Sequence, residues 1–221
     1  TPAASASRLS VGTGAASTNV VRRNSIYSNG GLGIDVGPVG VTPNDSGDTD
    51  GFPNFPVITG ATISGTDLTV TGFARAETLF ELFISDGDPS GFGEGMTYLA
   101  TFEEGTGDLD TTVGSYGPGP AGQDTTNRFR FVIPTPTGVV PGTVLTATRV
   151  GSISEFSPNT TVAAAGNVAP VIATIGTKNV FEGDTLSFTV VADDPDDTGG
   201  LVFSLDPGFP AGATIDPVTG V

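Results

Sequence analysis

The sequence predicts an all-β protein, and three observations carry that expectation. Apolar residues recur with period 2 in several short runs. Turn formers, Gly 33 and Pro 17 among 221 residues, punctuate those runs at short intervals. No stretch shows the 3.6-residue periodicity of an amphipathic helix.

Between residues 57 and 164 the alternation is clearest. Leu68 and Val70 alternate with Thr69 and Thr71. Phe80, Leu82 and Ile84 share one strand face, and so do Phe129, Phe131 and Ile133, with Arg128 and Arg130 opposite. "TVLTATRV", residues 143 to 150, is a further strand. About six or seven such strands separated by turn signals predict an antiparallel sandwich. The insertion "EEGTGDLDTTVGSYGPGPAGQDTTN" is too rich in Gly and Pro for a helix and reads as a long hairpin or mobile loop.

Upstream, residues 1–40 contain "NVVRRNSIYSNGGLGIDVG", in which Val20, Ile26 and Ile34 are spaced as short strands between Asn-Gly turns. Asn24 and Asn29 suit turn positions capped by a side-chain amide. Arg22 and Arg23 are expected on the outer face, in solvent. Residues 41–56 form an acidic linker. Downstream of "AAAGNVAP", Leu186, Phe188 and Val190 alternate, as do Leu201, Phe203 and Leu205, which predicts further strands over 168–221. The chain reads as a fragment cut at both ends.

Composition narrows the function classes. Twenty-four Asp+Glu against 8 Lys+Arg give a formal charge of −16. A polyanion repels nucleic-acid phosphates and anionic membranes, and it attracts divalent cations. There is no Cys, so disulfides, zinc–thiolate sites and thiol nucleophiles are excluded. There is no His, which removes the usual general base and any Ser-His-Asp triad. No apolar run of about 18 residues is present to span a membrane.

Three acidic stretches are candidate cation sites. In "NDSGDTDGFPN", Asp45, Asp48, Asp50 and Asn54 supply the oxygen ligands that calcium prefers, and glycines let a loop wrap an ion. The stretch lacks the closing glutamate of an EF-hand, and the alternative is a hydrated linker using Asp and Asn for turn chemistry. In "SDGDPSGFGEG", Asp86, Asp88 and Glu94 cluster, as an ion-binding loop or as hydrated turns. In "FEGDTLSFTVVADDPDD", four carboxylates within five residues repel one another unless a cation or open water relieves them.

Three resemblances add to this reading. The stretch "NVVRRNSIYSNGGLGIDVG" resembles the last coil of a bacterial right-handed parallel β-helix. "GIDVGPVGVTPNDSGDTDGFPNFPV", "DPSGFGEGMTYLATF" and "SEFSPNTTV", in that order over about residues 20–163, resemble the module that follows the last coil in large bacterial surface proteins. "NVAPVIATIGTKNVFEGDTLSFTVVADDPDDTGGLVFSLDPGFPAGATIDPVTGV" resembles the first half of a cadherin-like, dystroglycan-type or putative-Ig domain. The resemblances imply the end of a parallel β-helix over 1–40, an Ig-like sandwich over 57–164 and a partial cadherin-like sandwich over 168–221. In cadherin-like domains a glutamate after the first strand and a later Asp-rich loop hold calcium. By type and order these correspond to Glu182, Asp193, Asp194, Asp196 and Asp197. The implied setting is extracellular, at a bacterial cell surface.

The expected function is a non-catalytic structural or adhesive segment of a large exported protein, stiffened by Ca2+ at acidic loops, with a glycan or protein ligand outside the cell. The alternative is an accessory carbohydrate-binding part of a polysaccharide-active β-helix enzyme whose catalytic coils lie upstream. Three tyrosines and no tryptophan make a thin aromatic platform for sugar.

Overall fold

In a computed structural model, residues 9–11, 20–86, 88–166, 169–194 and 200–221 are described. They form strands and turns, with no helix among them. The chain divides into two compact units, Thr1–Ala164 and Ala165–Val221.

The first unit is built around a β-sandwich. One sheet has the order β11-β3-β4-β8-β7, from β3 (Val57–Ser64), β4 (Asp67–Ala74), β7 (Val113–Gly119), β8 (Gly122–Pro134) and β11 (Ala163–Ala164). The other has the order β10-β9-β5-β6, from β5 (Leu79–Ser85), β6 (Gly95–Glu103), β9 (Val144–Arg149) and β10 (Thr160–Thr161). All pairings are antiparallel except β11 with β3. The predicted strand over 143–150 is β9. The Gly/Pro-rich insertion is the β7–β8 hairpin, as one of its two readings expected.

The inward residues are those the alternation picks out. Leu68 and Val70 of β4, Phe80 and Leu82 of β5, Phe129 and Phe131 of β8, and Leu145 and Ala147 of β9 form one buried cluster from both sheets. Phe80 sits at its centre, with ring centroids 5.6 Å from Phe102, 4.9 Å from Phe129 and 6.0 Å from Phe131. Arg128 and Arg130 point outward, as expected.

One strand departs from the expected half-buried pattern. Strand β5 is buried on both faces: Glu81 and Phe83, opposite Phe80 and Leu82, are also out of solvent. The covering layer is the segment from residue 20 to 42, which belongs to the same compact unit. It contains β2 (Ile34–Val36), whose Ile34 and Val36 pack with Phe83, Ile153 and Phe156 in a second apolar cluster. Strand β2 pairs in parallel with β1 (Leu9–Val11), in a register joining Leu9 to Ile34 and Val11 to Val36. Among the described residues before the sandwich, this two-stranded pair is the extent of parallel strand pairing, and it does not amount to a β-helix.

The second unit carries one short antiparallel pair, β12 (Val171–Ile172) with β13 (Ala192–Asp193). Leu201, Phe203 and Leu205 alternate as half-buried positions, matching the sequence pattern. Leu186 and Phe188 are exposed and lie outside any strand, unlike the expectation for 186–190. The physical reason is the absence of a ladder. Two main-chain bonds between distant segments, Val190 N–H to the Gly220 carbonyl and Phe203 N–H to the Pro217 carbonyl, both 2.9 Å, do not extend into paired strands. No helix among the described residues is long and apolar enough to cross a membrane.

Candidate functional site

The acidic stretch 44–54 is an ordered loop bolted to the sandwich by its two asparagines. The buried Asn44 amide donates to the Phe55 carbonyl and the Tyr116 hydroxyl, both at 2.8 Å, and accepts from Phe55 N–H at 2.9 Å. Its backbone exchanges bonds with the β7–β8 turn, donating to the Ala121 carbonyl and accepting from Gln123 N–H. Only glycine fits at 122 in this arrangement. Its φ is +82°, and a Cβ there would stand 2.0 Å from the Asn44 carbonyl oxygen. Tyr116, half-buried beside Asn44, has its hydroxyl pKa pushed up to about 12, chiefly by desolvation.

The carboxylates of this loop turn to separate partners. Asp45 accepts from the Thr49 hydroxyl and from the main-chain N–H of Thr49 and Asp50, at 3.0 and 3.2 Å. Asp50 accepts from Phe52 N–H at 2.8 Å. Asp48 accepts from Asn54 N–H at 3.0 Å and forms ion pairs with Arg75 (3.1 Å) and Arg149 (3.4 Å). Asn54 accepts from Asp45 N–H at 3.0 Å and donates to the buried Asp124 carboxylate at 3.3 Å. N–H donors and arginines thus do here what a cation would otherwise do. The four residues expected as calcium ligands form a self-satisfied loop, and Asp48 would have to release two arginines to take an ion.

In the second unit, Glu182 is exposed in a turn, Asp193 is exposed in β13, and Asp194 is half-buried. Asp196 and Asp197 lie outside the described residues. Among the described residues, no group of three or more acidic side chains is gathered so as to hold a metal ion.

A different set of carboxylates dominates the first unit. Four acidic side chains at the outer face and ends of the β5–β6–β9 sheet accept main-chain N–H groups from the covering segment. Glu81, fully buried in β5, accepts from Arg23 N–H at 2.7 Å and from Arg22 Nε at 3.3 Å. Arg22 and Arg23 therefore do not both project freely into solvent as expected: they flank Glu81, and the Arg23 guanidinium stacks over Tyr98 at 5.0 Å. Asp86, just past β5, accepts from Ser28 N–H at 2.7 Å. Glu94, just before β6, accepts from Asn29 N–H at 3.0 Å. Glu155 accepts from Val36 N–H at 3.1 Å and Thr42 N–H at 2.9 Å.

The "SEFS" stretch shows how the sequence aims Glu155. Ser154 and Ser157 turn toward β9, where their hydroxyls accept from Arg149 N–H and Ala147 N–H, each at 3.0 Å. Thr146 and Thr148 donate back to the Ser157 and Ser154 carbonyls. With both serines bound inward, Glu155 and Phe156 between them meet the covering segment. Segment residues also bond β6 directly, through Ile26 N–H to the Gly95 carbonyl and the Ser25 hydroxyl to the Met96 carbonyl.

Burial shifts the protonation of two of these acids, Glu155 and Glu94. Desolvation raises the Glu155 pKa from 4.5 to about 7 against the lowering effect of its two N–H donors, and the nearby Asp35 charge adds to the rise. Glu94 is also raised, first by desolvation and further by Asp86. A carboxyl whose folded pKa exceeds its unfolded value binds more protons folded than unfolded. Its contribution to stability is then present below the unfolded pKa and lost as pH rises through the folded pKa. At about 1.4 kcal/mol per unit, Glu155 makes the protein less stable at pH 8 than at pH 5 by on the order of 1–3 kcal/mol. Asp110 and Asp216, whose pKa values are lowered by N–H and hydroxyl donors, titrate below this window. Urea unfolding of wild type and Glu155→Gln at the two pH values checks this. The variant is expected to be the less stable at pH 5, and the gap narrows by pH 8. Parallel pH slopes would refute it.

Sequence reasoning singled out Asp86 and Glu94 but passed over Glu81 and Glu155. The signal for Glu81 was present: Phe83 shares its face, and a large aromatic on the outward face of an otherwise alternating strand asks for a cover. Beside this joint lies a cleft of about 650 Å³ whose walls include Asn29, Leu32, Asp35, Val41, Asp88 and Ser90. No family model, no curated protein and no solved structure matches this chain.

Proposed function

We propose that this chain is a non-catalytic structural or adhesive segment of an exported bacterial surface protein, in which a β-helix stalk is joined to a β-sandwich. The observation that carries the reading is the joint itself. Five main-chain N–H groups between residues 23 and 42 are held by four carboxylates of one sheet, over a shared apolar cluster. Main-chain clasps of this density make two modules move as one, which is the property a load-bearing connector needs. The parallel pairing of β1 with β2 at a spacing of 25 residues has the form of successive rungs of a coil. The strand orders of the two sheets fit an Ig-like arrangement, with the β11–β3 pair as a parallel addition at one edge. Calcium at the acidic loops, including the Glu182/Asp193/Asp194 region, would stiffen the chain by binding only the folded form. Force spectroscopy of the chain pulled from its termini tests the joint. The segment 20–42 and the sandwich are expected to yield in a single event, and separate release of the segment at low force would defeat the reading.

The second reading, an accessory carbohydrate-binding part of a polysaccharide-active enzyme, is favoured by the cleft of about 650 Å³. A glycan array with the full chain distinguishes the two readings, since the connector needs no sugar and the accessory module does.

A further inference from the structure

We infer that Asp86 and Glu94 form a divalent-cation site, with calcium as the ion, where the covering segment meets the β5–β6 end of the sandwich. This rests on the calcium element of the proposed function and deepens it, by giving the acidic stretch 85–95 a specific pair of ligands.

Glu94 is 1% exposed. One of its oxygens, Oε2, takes the Asn29 N–H, while Oε1 is buried with no hydrogen-bond partner. Asp86 repeats the pattern: Oδ2 takes the Ser28 N–H, and Oδ1 is buried with no partner. The two donors are consecutive in a turn whose Ser28 has φ +58°, so one turn fixes both carboxylates side by side. The carboxyls lie within hydrogen-bonding reach of each other. Neither has an ion-pair partner among the described residues. The approach to Glu94 Oε1 is kept open by Gly33, where a Cβ would stand 3.2 Å from that oxygen.

Two acceptor-only groups with buried, unpartnered oxygens need positive charge between them. Their N–H donors hold the carboxylates in place, and a cation bound between them would offset the desolvation and the Asp86 charge that together raise the Glu94 pKa. A hard cation matches that donor set, whereas the imidazole and thiolate ligands of softer metals are absent from a chain with no His and no Cys. Two carboxylates from segments flanking a loop, completed by water, suit the variable geometry of calcium better than the strict octahedron of magnesium. Asn29 also lines the adjacent cleft, which gives water a route to the remaining coordination positions. With only two charged ligands, the affinity belongs in the weak range, Kd about 10⁻⁴–10⁻³ M.

The test is a titration of the full 15N-labelled chain with CaCl2 from 0 to ~10 mM at pH ~7.5, in parallel with thermal unfolding; the ceiling lies well above the weak Kd range. Wild type is expected to show saturable shifts of the Ser28 and Asn29 amide resonances and a rise in Tm of about 3–6 °C. Both effects are expected to vanish in Glu94→Gln and Asp86→Asn and to persist in Asp48→Asn. If calcium leaves the two amides unmoved and Glu94→Gln raises the Tm without calcium, the pair holds a shared proton and the inference is overturned. If the calcium response survives in both pair variants, the ion binds elsewhere: this site is lost while calcium stiffening stands. The amide shifts are read on wild type, so a poorly folding variant does not block the decision.

Discussion

Glu81→Ala is expected to lower the unfolding free energy of the first unit by about 2–4 kcal/mol and to make residues 20–42 protease-sensitive. Removing one partner of a buried charge pair costs about 3–5 kcal/mol when the other charge is left stranded. Here the partners are partly spared, because the Arg22 and Arg23 side chains are 44% and 60% exposed and can turn to water. The main-chain N–H of Arg23 has no such freedom while the segment stays docked, and a buried unsatisfied donor costs about 1–3 kcal/mol. The segment therefore loosens before the sandwich does. Limited proteolysis with mass mapping should place new cuts between 20 and 42, and Glu81→Gln, which keeps an acceptor oxygen, should restore part of the protection. Cuts spread evenly over β3–β9 would show that Glu81 supports the sandwich and not the joint.

Phe80→Ala is expected to destabilise the same unit by about 3–5 kcal/mol, with no selective release of the segment. The side chain is fully buried, one residue from Glu81 on the other face of β5, among Phe102, Phe129 and Phe131. Truncation removes the transfer free energy of the ring and leaves a cavity in a cluster that both sheets share, so the loss falls on the whole sandwich. The denaturation midpoint should drop with an unchanged slope. Phe181, 85% exposed in the second unit, supplies the contrast: its alanine variant should fall within about 0.5 kcal/mol of wild type. Two adjacent residues of one strand thus separate the two structural roles, the joint on one face and the core on the other.

The outline of the sandwich was legible because its determinants are local. Period-2 alternation placed Leu68, Val70, Phe129 and Phe131 inward, and the Gly/Pro-rich insertion became a hairpin because those residues stop helices and permit tight turns. The acidic loop was legible as a loop but not in its chemistry. Asp48 meets Arg75 and Arg149, and the Arg149 contact crosses 101 residues of sequence. Nothing in "NDSGDTDGFPN" announces those two cations. Phe83 was the one local clue to the joint, and only its partners Ile34, Val36, Ile153 and Phe156 show what it meant.

By itself, then, the sequence determined the β architecture, the positions of the turns and the excess of negative side chains, since each follows from residue type and spacing along a few positions. Tertiary structure alone decided which carboxylates matter. Glu81, Asp86, Glu94 and Glu155 find their donors 58 to 119 residues away, and those donors are mostly main-chain N–H groups. A side-chain acceptor is visible in a sequence as a letter. A main-chain donor is carried by every residue except proline, so only the path of the folded chain selects the few that a buried acid will hold.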